Sequence, residues 1–89
     1  MNPKIITILQ ITQEECAEVI QSVAKIFRFG LDDSHEGKSN KQRLESELGD
    51  LQCMIDLLKE HGVVDADNID HASKIKRQKL HKWSNIFNS

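Results

Sequence analysis

The stretch RLESELGDLQCMIDLL, Arg43 to Leu58, decides how this chain folds. Leu44, Leu48, Leu51, Met54, Ile55, Leu57 and Leu58 recur at helical spacing, so the segment reads as a core-facing helix. At its centre lies ELGD, Glu47 to Asp50, with two carboxylates on the apolar side and a glycine between them. A glycine in a helix interior costs about 1 kcal/mol relative to alanine. A carboxylate facing a core stays ionised only with a partner. Both choices need a physical reason.

Upstream, Ser39-Asn40-Lys41-Gln42 has the form of a capping box and starts this second helix, which ends near His61-Gly62. Between Gly30 and Asn40 the sequence has two glycines and no periodicity, which predicts a loop. Before it, Asn2 and Pro3 look like an N-cap and a first helical residue. From there Ile5, Ile6, Ile8, Leu9, Ile11, Val19, Ile20, Val23, Ala24, Ile26 and Phe27 fall on one broad arc, predicting a first helix from about residue 3 to Phe29. A last helix is expected from about Ile69 to Phe87, capped by Asp67 or Asn68, with Ile69, Ala72, Ile75, Leu80, Trp83, Ile86 and Phe87 on its apolar arc. No strand is expected. The fold class is all-α, with three helices in a single domain over residues 1–89.

A chain of 89 residues supports only a thin core, so a partner chain is expected to complete it. No apolar run is long enough for a membrane span or a leader peptide. Cys16 and Cys53 form no CxxC and are expected as reduced thiols in the core of a cytoplasmic protein. Net charge is −2, unevenly spread: all fourteen acids precede residue 71, while the last nineteen residues carry five of the twelve Lys/Arg. A basic tail of this kind either solvates a helix end or meets phosphates.

The first helix carries EECAE, Glu14 to Glu18. On a helical wheel Glu15 lies between Ile11 and Ile26, inside the arc, and Glu18 lies at its edge. Glu47 and Asp50 both fall inside the stripe of the second helix. Two helices therefore each bring an i, i+3 acidic pair to the side on which they should pack. Four such carboxylates repel unless cations offset them. Lys25 lies beside the first pair and Arg43 one turn before Glu47, but two cations do not balance four acids. Hard oxygen ligands suit Mg²⁺, with Mn²⁺ as a substitute. A di-iron bundle would need Glu-x-x-His on two helices, and none of His35, His61, His71 or His81 has a glutamate three residues before it. On the last helix Lys76 and Lys79 fall within the apolar arc, either snorkelling to solvent or reaching phosphates held by the acidic helices. Trp83 either packs in the core or stacks on a base.

Glu15-Cys-Ala-Glu18, then twenty-eight residues, then Glu47-Leu-Gly-Asp50, resembles the ExxE…ExxD signature of the MazG-like all-α NTP pyrophosphohydrolases. EECAEVIQ, RFG and LESELGDLQ are similar to that family's helices over roughly residues 10–60, and the helix ending in KLHKW is a looser match. The resemblance implies cleavage of a (deoxy)nucleoside triphosphate between its α and β phosphates, giving the monophosphate and pyrophosphate. It implies Mg²⁺ held by Glu15, Glu18, Glu47 and Asp50, with Glu15 or Glu18 orienting or deprotonating the attacking water. Substrate contacts are then expected from Lys25, Lys76, Lys79 and Trp83. It also implies a homodimer or homotetramer, in which helices of two chains complete a four-helix-bundle core. The loop from Gly30 to Asn40 and the C-terminus depart from the family pattern, leaving the nucleobase open. The competing reading is a helical dimerisation or interaction module in which Lys76 and Lys79 pair with Glu47 and Asp50 across an interface. A nucleic-acid binder is disfavoured, because the basic stretch is short and the body acidic.

Overall fold

The computed structural model describes residues 1–88. It contains α1 (Pro3–Phe29), β1 (Ser34–His35), β2 (Lys38–Ser39), α2 (Asn40–Glu60) and α3 (Ala66–Trp83). The chain is thus all-α but for one small hairpin, and no helix among the described residues is long and apolar enough to cross a membrane.

Local chemistry sets the helix ends. The Asn2 side chain accepts from the Lys4 amide at 2.7 Å, and Pro3 occupies the first turn, where its missing N–H costs nothing. Ser39 and Gln42 form the full capping box that opens α2: the Gln42 amide donates to Ser39 Oγ at 3.1 Å, and the Ser39 amide donates to Gln42 Oε1 at 2.9 Å. At the other end Gly62, with φ of 68°, closes α2. Its N–H donates to the Lys59 carbonyl and that of Val63 to the Leu58 carbonyl, while Val63 packs against the core cluster holding Leu58.

The last helix begins and ends earlier than its periodicity predicts. Asp65, not Asp67 or Asn68, is the cap: its Oδ1 accepts from the amides of both those residues. At the far end the Ser84 hydroxyl donates to the Leu80 carbonyl at 2.7 Å and the helix stops at Trp83. The chain then folds back, so that the Phe87 ring stacks on His81 with centroids 4.0 Å apart, and Arg77 lies 5.5 Å from the Phe87 centroid. His81 and Arg77 therefore both contact the last aromatic residue of the apolar arc.

The loop before α2 contains the unexpected strands. Ser34 pairs with Ser39 and His35 with Lys38, leaving Glu36-Gly37 as a two-residue turn. Both turn residues have positive φ, 55° and 81°, as the twist of such a hairpin demands.

Helices α1 and α2 pack antiparallel. In α1 the more enclosed positions include Ile5, Ile8, Thr12, Glu15, Val19, Ser22 and Ile26; in α2 they include Asn40, Leu44, Glu47, Leu51, Met54 and Leu58. Each set steps alternately by three and four residues, the narrow seam of a coiled pair. Ile8, Met54 and Leu58 are its buried centre, flanked by Ile11, Leu57, Val63 and Val64. The apolar arc of α1 is wider than α2 can cover. Ile20 and Phe27 are 69% and 87% exposed, and Leu9 and Val23 share their face. Leu48 of α2, expected inward, is exposed as well. Cys16 and Cys53 are both exposed free thiols rather than core residues, because each lies on a face turned away from the seam. α3 packs along neither helix, which gives the molecule its flat outline of 41 × 38 × 14 Å.

A Cβ added at Gly49 would meet nothing within 4 Å, so the glycine answers no contact inside this chain. Gly49→Ala should raise the stability of the isolated chain by about 1 kcal/mol through helix propensity, read from the denaturant midpoint at low protein concentration. A loss of stability instead would mean that another body closes on this face.

Candidate metal centre

Antiparallel pairing carries the acids of the two helices to the same level of the seam. Glu15 of α1 and Glu47 of α2 are half-buried there, and Asp50, one turn after Glu47, is exposed at the flank. One carboxylate oxygen from each of the three can be chosen so that all lie within 4.8 Å of one another. Glu18, the fourth acid of the expected set, is exposed and outside this group, but it lines the adjoining groove together with Glu47.

The cluster lacks internal counter-charges. Among the described residues the ion pairs are His35–Glu36 at 3.7 Å and Lys74–Asp70 at 3.5 Å, and neither involves an acid of the cluster. Arg43, a turn before Glu47, donates from Nη2 to the His35 carbonyl at 2.6 Å instead. The electrostatic result falls on Glu15. Desolvation in the seam, and after it the charges of Asp50, Glu47, Glu18 and Glu14, raise its pKa above the ordinary 4.5.

Three oxygen donors at this spacing suit a hard divalent cation. The oxygens around a Mg²⁺ ion lie about 3–4 Å apart, given metal–oxygen distances of about 2.1 Å and octahedral geometry, so small rotamer adjustments would gather all three. The set contains no nitrogen or sulfur ligand, which selects against zinc and the softer metals. Glu15, Glu47 and Asp50 are thus the residues able to hold a metal.

The expected substrate contacts divide. Lys25 lines a groove of about 200 Å³ that also includes Glu18 and Glu47. Lys76, Lys79 and Trp83 lie on α3, and no α3 residue lines that groove. Both lysines are exposed, and so is the Trp83 ring at 75%, with the Lys82 ammonium 5.0 Å from its centroid. Within one chain the tryptophan is therefore not a core residue, and the α3 lysines face neither Glu47 nor Asp50. Lys38 and Arg43 line that groove together with Lys25. Lys38 sits in an aperiodic loop, and the signal available for it was the Glu36-Gly37 turn that sets it on a strand.

Comparison with protein-family models, with curated proteins and with solved structures returned no match. The site therefore rests on its own geometry.

The raised pKa of Glu15 has a consequence for stability. The folded chain holds that proton more tightly than the unfolded chain, so protonation favours the fold. In metal-free protein, wild type should gain stability relative to Glu15→Gln as pH falls through the raised value, with the gain complete below 4.5. Denaturation of the two proteins across pH measures the difference. A difference that does not change with pH would remove the electrostatic description of the cluster.

Proposed function

We propose that the chain is a Mg²⁺-dependent nucleoside triphosphate pyrophosphohydrolase of the MazG-like kind, releasing pyrophosphate and the nucleoside monophosphate. One observation carries the reading: the ExxE and ExxD halves, far apart in sequence, meet as Glu15, Glu47 and Asp50 within 4.8 Å and without a salt-bridge partner among the described residues. A purely structural cluster would be expected to recruit the neighbouring lysine and arginine, and this one does not.

In the proposed reaction Glu15, Glu47 and Asp50 hold the metal. A divalent ion held there would supply charge neutralisation at the phosphate oxygens and make water more acidic. Glu18 stands outside the ligand group but on the groove, which leaves its carboxylate free to accept the proton of the attacking water. Water oxygen bonds to the α phosphorus, the α–β bridging bond breaks, and pyrophosphate departs. The side chains at the groove orient the substrate so that these events are in line.

Oligomerisation belongs to the same proposal. Leu9, Cys16, Ile20, Val23 and Phe27 lie within a quarter-turn of one another on α1, and this apolar face stays exposed among the described residues. Such faces mark contact surfaces, and two chains joined there would form a four-helix core. The same face favours a second reading, an interaction module with no metal requirement. The two readings separate by melting, since a ligand that binds only the folded state raises Tm. Millimolar Mg²⁺ should raise the Tm of wild type, whereas an interaction module should not respond.

The direct test is pyrophosphate release from a panel of NTPs and dNTPs, with Mg²⁺ and with EDTA. Release should require the metal. Glu47→Gln and Asp50→Asn should each lower turnover by at least about 100-fold, since each loses a ligand charge on which metal catalysis depends, while helical circular dichroism stays unchanged. Turnover equal to wild type in either variant would eliminate the site.

A further inference from the structure

The groove changes sign along its length. Next to Glu18 and Glu47 it is lined by three cations from three different elements: Lys25 of α1, Lys38 of β2 and Arg43 of α2. None of the three takes part in an ion pair among the described residues, although acids line the same groove. Cations serving only to neutralise the acids would close on them. Arg43 is held by the hairpin backbone instead. The bond from Arg43 Nη2 to the His35 carbonyl fixes the guanidinium against the hairpin and leaves its other N–H donors available. Lys38 follows the tight Glu36-Gly37 turn, where Glu36 adopts a φ of 55°, a conformation that non-glycine residues seldom take.

A second recess, of about 290 Å³, adjoins the first and shares Lys25, Asn40 and Arg43 with it. It adds the exposed ring of Phe29 together with Asp33 and Ser34. The order along the surface is therefore acids, then cations, then an aromatic ring with polar neighbours.

We propose that Lys25, Lys38 and Arg43 form the seat of a polyphosphate chain, oriented with its metal-bound end toward Glu15, Glu47 and Asp50 and its nucleoside toward Phe29. This deepens the pyrophosphohydrolase reading and rests on it for the identity of the nucleotide. It moves the phosphate contacts from the lysines of α3 to the hairpin and the adjoining helix ends. Arginine and lysine suit the role, since hydrogen bonds between charged groups are the stronger ones and guanidinium matches phosphate geometry.

Binding of inorganic tripolyphosphate, measured by calorimetry in millimolar Mg²⁺, tests the seat without turnover. Lys25→Ala and Lys38→Ala should each weaken it about tenfold while the Mg²⁺-induced rise in Tm persists. Lys4→Ala, at the far end of α1, should leave affinity unchanged and controls for net charge. Absence of binding to wild type, unchanged affinity in Lys38→Ala, or an equal loss in Lys4→Ala would overturn the seat. Phe29→Ala should weaken a nonhydrolysable nucleoside triphosphate but not tripolyphosphate, and any other pattern overturns the orientation. Failures of the two proposals are distinguishable. Pyrophosphate release with an unaltered KM in Lys38→Ala would refute the seat and retain the reaction. Tripolyphosphate binding that depends on Lys25 and Lys38, with no release from any nucleotide, would do the reverse.

Discussion

Mutual repulsion of carboxylates in the α1–α2 seam is the constraint around which this molecule is arranged. An apolar residue at position 15 or 47 would extend the core toward the loop. The chain instead confines its buried apolar residues to one end, at Ile8, Met54 and Leu58, and places Glu15 and Glu47 in mid-seam. The cost appears in the raised pKa of Glu15 and in a core of small extent. Such a cost is intelligible where it is offset by something outside the chain, as a hard cation at three oxygen donors would offset it under the proposed reading. The apolar end and the capping box at Ser39 keep the helices paired while the middle of the seam is left polar.

What was legible in the sequence was local. Asn2-Pro3 and Ser39 through Gln42 fix helix starts through side chains two or three residues from the groups they satisfy, and no tertiary context is needed to read them. The approach of Glu15 to Glu47 and Asp50 was legible because two amphipathic helices joined by a short loop pack antiparallel, whereas Glu18, at the edge of its arc, stays outside the group. α3 was less legible. Asp65, Asp67 and Asn68 are all good capping residues, and only the backbone decides that Asp65 accepts from the other two. Its apolar arc runs on through Ile86 and Phe87 with no glycine or proline to stop it, yet Ser84 ends the helix and Phe87 returns to His81. Wheel geometry also fails for width. It places Ile8 and Ile20 on one arc, but a single partner helix covers only a narrow stripe, and Ile20 is left outside.

The same limit explains the lysines. Periodicity assigns Lys76 and Lys79 to a face of α3 but says nothing about what that face meets, and both lysines are exposed on a helix that packs along neither acidic helix. Lys38 had no periodic signal at all. It reaches the groove because a two-residue turn places it on β2, in a hairpin tied to α2 by Arg43.

The exposed faces follow from this economy of core. A flat arrangement in which α3 packs along neither helix, and in which Phe27 and Trp83 remain open to solvent, leaves apolar surface that is costly in water. Joining two chains through α1 would bury the apolar face that one α2 cannot reach. The groove would stay accessible, because Glu18, Gln21 and Lys25, which line it with Lys38 and Arg43, lie on a different face of α1 from Ile20 and Phe27. Metal, polyphosphate and partner chain would thus occupy three separate surfaces of the same two helices. The acidic seam, the cationic groove and the apolar flank differ in chemistry because each is left unsatisfied by the other two.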